Sequence, residues 1–331
     1  MIQTHLILKA GSVAGLLDSE KQAIAAASPS VPVFRRYFLS SASQKAEFPE
    51  VSGAASFIVQ PPLDGSAVAV WLVLASDVEV ESGAGFTLAR EGECEHLWLS
   101  SLVAPGADSE SQMRAIFRDC ASLLVSRGYD LAEDCVRTWI HVGDIDRNYA
   151  GVVKARREFF ETIGLTPDTH YIASTGINGD SCAPGALVQM DAYAVRGPKR
   201  RQYLYAPTHL NPTYEYGVTF ERGVAAEVAG RRTVYISGTA SIDNTGAVVH
   251  VGDVASQTLR MWENVEALLA EAGSGWGDVR QILVYLRNAA DYEIVAPMFE
   301  AMFPDIPYVI TLAPVCRPDW LIEMECVATL E

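Results

Sequence analysis

Two stretches of this chain repeat one another. "CAPGALVQMDAYAV" (182–195) and "CRPDWLIEMECVAT" (316–329) share Cys, Pro, Leu, Met and a late Ala at a constant separation of 134. Upstream, residues 111–160 parallel 256–303, matching Val136-Arg137 to Val279-Arg280, Tyr149 to Tyr292 and Phe160 to Phe303 at a separation of 143. No other sequence feature limits the fold as much. Self-similarity of this length implies one supersecondary unit used more than once, and both copies must satisfy the same architecture.

The better-patterned copy gives the unit. Leu259, Trp262, Val265, Leu268 and Leu269 recur at helical spacing. "VRQILVYLR" then reads as a strand, "DYEIVAPMFEAMF" as a second helix, and "YVITLA" and "LIEMECVAT" as closing strands across the turn-rich "PVCRPD". "TVYISGTASID" supplies a strand before the first helix. The order β-α-β-α-β-β, with that strand in front, predicts an α+β fold: two tandem units, each a mixed sheet with two helices on one face. The expected domains are 1–196 and 204–331, joined by the basic "RGPKRRQY" (196–203). Residues 1–95 do not fit the repeat and read as an N-terminal extension of the first domain, with strands such as "SAVAVWLVLAS".

Bulk properties exclude several classes. The chain has 331 residues, 49% hydrophobic and 20% charged, enough for a packed core. A net charge of −16 argues against general nucleic-acid binding, which needs clustered Lys and Arg. It leaves room for a small anionic substrate held by one or two local arginines. Six scattered cysteines without a CxxC pair read as free thiols rather than a disulfide framework. Six dispersed histidines without HExxH spacing predict no metal site, and no cofactor is expected. No apolar run approaches the roughly 18 residues of a membrane span, and the start lacks a signal-peptide pattern, so a cytoplasmic location is expected.

In the last strand the side chains alternate faces. Ile322, Met324 and Cys326 suit packing on helices, while Leu321, Glu323, Glu325 and Val327 face the other way. A buried unpaired carboxylate is costly, so this face must pair its acids or use them. The first copy has Gln189 where the second has Glu323. A structural hydrogen bond tolerates either residue, whereas a proton donor needs the acid, so the second copy is the expected active one.

The segments "YISGTASID", "GDVASQT", "WENVEALLAEAG", "DVRQILVYLRNAADYEIVAPMFEAMFP" and "LIEMECVA" resemble the Rid (YjgF-like) family over about residues 218–330, with a degenerate copy over about 95–195. The resemblance implies a chorismate-mutase-like α+β fold, in which three such units close around a central barrel with sites in the clefts between them, and so a trimer-like self-association. Rid deaminases carry a substrate-binding arginine just after the proline that opens the penultimate strand. Here Tyr308 and Val309 stand there. Two-domain chorismatases are more similar, sharing the length, the degenerate first unit, "SGTASI" (237–242) and the run Cys316-Arg317-Pro318-Asp319-Trp320-Leu321-Ile322-Glu323.

That resemblance implies a cofactor-independent enzyme of secondary metabolism, cleaving the enolpyruvyl ether of chorismate with Glu323 as general acid and Cys316 associated with hydroxybenzoate formation. It implies substrate binding by Arg222, Tyr216, Gly238, Thr239 and Arg317, with Arg156 and Arg157, on the helix after Tyr149, further candidates. Two rivals stand beside it: a Rid-type enamine or imine hydrolase acting on another small carboxylate, and a non-catalytic metabolite-binding protein. Taken without the resemblance, Cys316 reads first as a small packed hydrophobe, Glu323 equally as a carboxylate paired for stability, Arg317 as a turn brace, "SGTAS" as a structural turn, "VVKARREFF" as a charged helix face, and His141 as a core histidine.

Overall fold

The computed structural model describes residues 1–330. The first part of the chain forms β1 (Ile2–Ala10), α1 (Val13–Ala26), β2 (Val31–Leu39), β3 (Ala55–Val59) and β4 (Val68–Ser76). The middle forms β5 (Glu79–Gly83), β6 (Phe86–Glu91), β7 (Cys94–Leu102), α2 (Ser109–Ser126), α3 (Leu131–Asp134), β8 (Cys135–Val142), α4 (Ile145–Thr162), β9 (Ala173–Asn178), β10 (Asp180–Ser181) and β11 (Val188–Arg196). The last part forms β12 (Lys199–Leu204), β13 (Gly223–Val228), β14 (Arg231–Ala240), α5 (Val254–Glu271), β15 (Val279–Leu286), α6 (Tyr292–Met302), β16 (Tyr308–Leu312) and β17 (Ile322–Leu330). Helix starts follow the capping chemistry. Asp108 and Asp253 accept backbone N–H groups of Ser111 and Ser256, satisfying donors that the first turn leaves orphaned.

Three mixed sheets result, and all contain one motif. The strand orders β1-β4-β2-β3, β7-β11-β8-β9 and β14-β17-β15-β16 carry the same antiparallel, antiparallel, parallel pairings. The fold is therefore α+β, as the repeat implied, but the N-terminal extension has the same topology as the two recognised units. Its second helix is reduced to the short 3₁₀ turn Ala42–Glu47. The helical periodicity that betrays the other two units is missing from it, which is why the sequence hid it.

The basic segment expected as a linker is mostly strand. β11 runs to Arg196 and β12 begins at Lys199, leaving Gly197-Pro198 as the turn. β12 is an edge strand paired antiparallel with β13, a position where basic side chains discourage further pairing.

Strand pairing also corrects the repeat register. His141 pairs with Gln189 and Tyr285 with Glu323, so β8 and β15 correspond at a separation of 144, not 143. Arg137 then matches Gln281, and Arg280 matches Val136. The slip matters, because one residue along a strand exchanges the faces.

The three inner sheet faces share one core, in which Trp71, Phe34 and Trp139 from the first two units pack at centroid distances of 5.4–6.0 Å. Each seam carries backbone contacts: β3 pairs with β10, Ala173 bridges Glu221, and Pro62 bridges Thr311. The threefold arrangement that the resemblance implied for several chains is met here by three units of one chain. No helix among the described residues is long and apolar enough to cross a membrane.

Candidate active site

Glu323 and Glu325 share the inner face of β17 and have separate fates. Glu325 lies at the centre of the shared core. Arg137 and Thr175 donate to its Oε2, while Trp139 Nε1 and the Tyr285 hydroxyl donate to Oε1, each at 3.0 Å. This carboxylate is fully engaged and holds two units together. The equivalent residue of the second unit, Asp191, is likewise fixed by Arg36 at 2.8 Å and by the Ser101 N–H at 2.8 Å.

Glu323, two residues earlier, is only 5% exposed, and among the described residues its carboxyl accepts no hydrogen bond. It faces a cavity of about 370 Å³ at the seam between the second and third units. Burial, seconded by the neighbouring Glu325, pushes its pKa up to about 8 against the pull of Arg222 and Arg137. At neutral pH it is a carboxylic acid with a proton to give. Gly238 makes room for it, since a Cβ there would stand 2.3 Å from Glu323 Oε1.

Of the candidates read from sequence, Glu323, Cys316, Arg222, Tyr216, Gly238, Arg317 and Arg157 all line this cavity. Thr239 does not. Alternation along β14 turns it away, and its hydroxyl donates to the Ser237 carbonyl at 2.9 Å. Arg222 is buried; its Nε and Nη2 hold the Asn211 carbonyl at 3.3 and 3.0 Å, leaving Nη1 without a protein partner among the described residues. Arg317 lies 4.5 Å from the Tyr216 ring centroid and 4.6 Å from that of Trp320, and donates to the Gly246 carbonyl at 3.2 Å. Burial pushes the Cys316 thiol up to about 12, so it stays protonated. A neutral thiol is a steric and weakly polar wall here rather than a nucleophile.

Two contributors come from α4, which the sequence reading took for a charged surface helix. Arg157 is exposed at the cavity rim. Arg156 is 1% exposed, and its Nε and Nη2 have no partner. A buried guanidinium with unpartnered nitrogens beside a cavity has the chemistry to bind an anion. The signal was present in the pattern Tyr149, Val152, Arg156, Phe160, which shares one helix face. Tyr149 fits because residue 176 is glycine: a Cβ there would lie 2.9 Å from the ring.

Arg287 is a further brace. It grips Asp146 with two bonds of 2.9 and 3.0 Å across the seam and donates to the Val315 and Trp320 carbonyls, fixing the turn that carries Cys316 and Arg317.

The deaminase arginine is missing at this seam as well. The strand facing Glu323 here is β9, which contributes Ser174 and Gly176 to the cavity. Its Ser174 corresponds in register to Tyr308 of β16. At the first-to-second seam, Gln189 is tied down, accepting from Ser181 at 2.7 Å and donating to Ser56 at 3.1 Å. In the first unit the corresponding residue is Ala69, paired with Phe38 as Glu323 is with Tyr285.

Comparison with known proteins agrees with this fold. The profile of the Endoribonuclease L-PSP family matches residues 222–330. A protein named 3-hydroxybenzoate synthase from Streptomyces hygroscopicus is 29% identical over 77% of this chain and 79% of its own length. The 3-aminoacrylate deaminase RutC of Acinetobacter baylyi is 37% identical over 29% of this chain and 77% of its own. A solved chorismatase structure superposes with a TM-score of 0.74 at 19% identity, covering 99% of this chain and 98% of that one, a likeness of fold. Through its third unit, the chain belongs to the Rid/YjgF (L-PSP) family.

Proposed function

We propose that this protein cleaves the enolpyruvyl ether of chorismate, or of a close analogue, to pyruvate and a ring carboxylate. One observation carries the reading: Glu323 is a buried, neutral, uncommitted carboxylic acid facing a cavity that also gathers Arg156, Arg222 and Arg317. Chorismate is a dianion with an acid-labile enol ether, and this set of groups matches it. Arg222 and Arg156 each offer unpaired N–H donors for one carboxylate. Glu323 protonates the methylene carbon, giving an oxocarbenium ion. The resulting carboxylate then takes a proton from the water that adds to the cationic carbon, and the hemiketal collapses to pyruvate and the ring alcohol.

The oxygen of the added water leaves in pyruvate, so the ring product is either a dihydrodiol carboxylate that keeps both ring oxygens or a hydroxybenzoate that has lost one ring hydroxyl and a ring hydrogen as water. The relative named 3-hydroxybenzoate synthase and the Cys316 thiol against the cavity wall favour the hydroxybenzoate. The RutC relative raises imine hydrolysis as a second reading, but Ser174 stands in the register position of its binding arginine. The test is incubation of the purified protein with chorismate, reading pyruvate enzymatically and the ring product by chromatography. Pyruvate release is the expected result. Binding of chorismate without turnover, or ammonia release from an amino-acid-derived enamine in its place, would overturn the reading.

A further inference from the structure

A second cavity, of about 390 Å³, plays no part in that chemistry. Thr329 and Leu330, at the far end of β17, line it. Glu323 and Thr329 are separated by roughly 20 Å at the strand rise of about 3.3 Å per residue. Gln3, Tyr193 and Tyr235 contribute polar groups to the wall, Ala226 and Val228 make it apolar, and the exposed Ile2 and half-exposed Arg231 stand at the mouth.

Three features set this cavity apart. First, Arg280 donates only to the carbonyls of Gly277 and Thr329, at 3.2 and 3.3 Å, and among the described residues no carboxylate lies within 4.0 Å of it. Glu91 also lines the cavity, but its carboxylate is already paired with Arg231 at 2.7 Å and with the Met1 amino group. Second, His96 Nε2 and Thr329 Oγ1 are buried atoms of lining residues without a hydrogen-bond partner, the Glu91 carboxylate standing 3.7 Å from His96 Nε2, beyond hydrogen-bond reach. Such orphans are rare in folded proteins and call for an explanation. Third, Arg280 is the unpaired residue of a β-bulge, since pairing of β15 with β17 shifts between Val279 and Gln281. A bulge re-aims a side chain, and here Arg280 becomes part of the cavity wall.

We propose that this second cavity binds a small monoanionic carboxylate with an apolar body, of the benzoate class. One uncompensated guanidinium calls for one negative charge, and its planar fork matches a carboxylate. Burial holds His96 neutral, with its pKa down to about 4. In the tautomer where the Tyr193 hydroxyl donates to Nδ1 at 2.7 Å, Nε2 carries the proton and completes the carboxylate's hydrogen bonding. Ala226, Val228 and Leu330 suit an apolar ring and oppose strongly hydrated anions such as phosphate. The proposal does not rest on the reaction assigned to the other cavity.

The test uses benzoate as the probe, by calorimetry and crystal soaking, on the full chain and on Arg280→Gln and Ala226→Leu, with melting curves to show that both variants fold. The expected result is benzoate seated against Arg280, with binding weakened at least tenfold by either substitution and unaffected by Glu323→Gln. Benzoate titrating identically in all variants, benzoate found only in the Glu323 cavity, or equal competition by inorganic phosphate would each overturn the proposal.

Discussion

Replacing Glu323 with glutamine separates the proton from the shape. Gln keeps the volume and the hydrogen-bonding capacity, and the second unit already carries Gln189 in the corresponding strand position. The proton is lost, so turnover should fall by the worth of general acid catalysis, about a hundred- to ten-thousand-fold. Stability should move the other way, and with pH. The folded-state pKa of Glu323 is raised to about 8 from an ordinary 4.5, so the native state holds this proton more tightly than the unfolded chain does. A raised carboxylate costs nothing below its unfolded pKa. The cost grows as pH climbs from 4.5 toward 8 and levels off above. At about 1.4 kcal/mol per tenfold change in proton affinity, the penalty removed by Gln approaches roughly 5 kcal/mol near pH 9, less whatever water in the open cavity recovers. The assays are pyruvate release from chorismate and denaturant melts at pH 5, 7 and 9. Wild-type kcat/KM should decline above about pH 8 as the acid ionises. Near wild-type turnover in the variant, or a stability difference indifferent to pH, would refute the assignment of Glu323 as a buried proton donor.

Glu325→Gln should behave oppositely: it leaves Arg137 buried without its charge partner, while Arg36 keeps Asp191, so a loss of about 3–5 kcal/mol in denaturant melts is expected. Arg222→Lys swaps a planar fork for a point charge, and KM for chorismate should rise by the equivalent of roughly 1–3 kcal/mol with the fold unchanged. Cys316→Ala should leave pyruvate release in place while shifting the ring product from hydroxybenzoate toward dihydrodiol, read by chromatography; an unchanged product ratio would make the thiol packing alone. Gly238→Ala places a methyl against Glu323 Oε1 and Thr175 Cγ2, and should depress turnover well beyond its effect on melting temperature.

Local pattern alone carried a good part of this protein. The duplicated strand–turn–strand, the helical stripe from Leu259 to Leu269 and the alternation along 321–327 are short-range signals, so two units, their α+β class and the shared face of Glu323 and Glu325 were legible before any coordinates. The Gln189–Glu323 difference even indicated which copy keeps an acid. Tertiary structure decided what depends on packing between distant segments. The first unit escaped notice because it folds with one helix and a 3₁₀ turn, leaving no second periodic stretch to compare. The repeat register was one residue off because the matching Val-Arg pairs set it, whereas hydrogen-bond pairing aligns both strands at 144 on either side of a bulge that the two units share at Val136 and Arg280. Arg156 and Arg157 could not be told apart in the sequence because a charged run does not announce which arginine faces inward. The roles of the two glutamates rest on partners roughly 150–190 residues away in the chain: Arg137, Trp139 and Thr175 engage Glu325, and the same strands leave Glu323 with none, an arrangement that forms only when the three sheets close on one another.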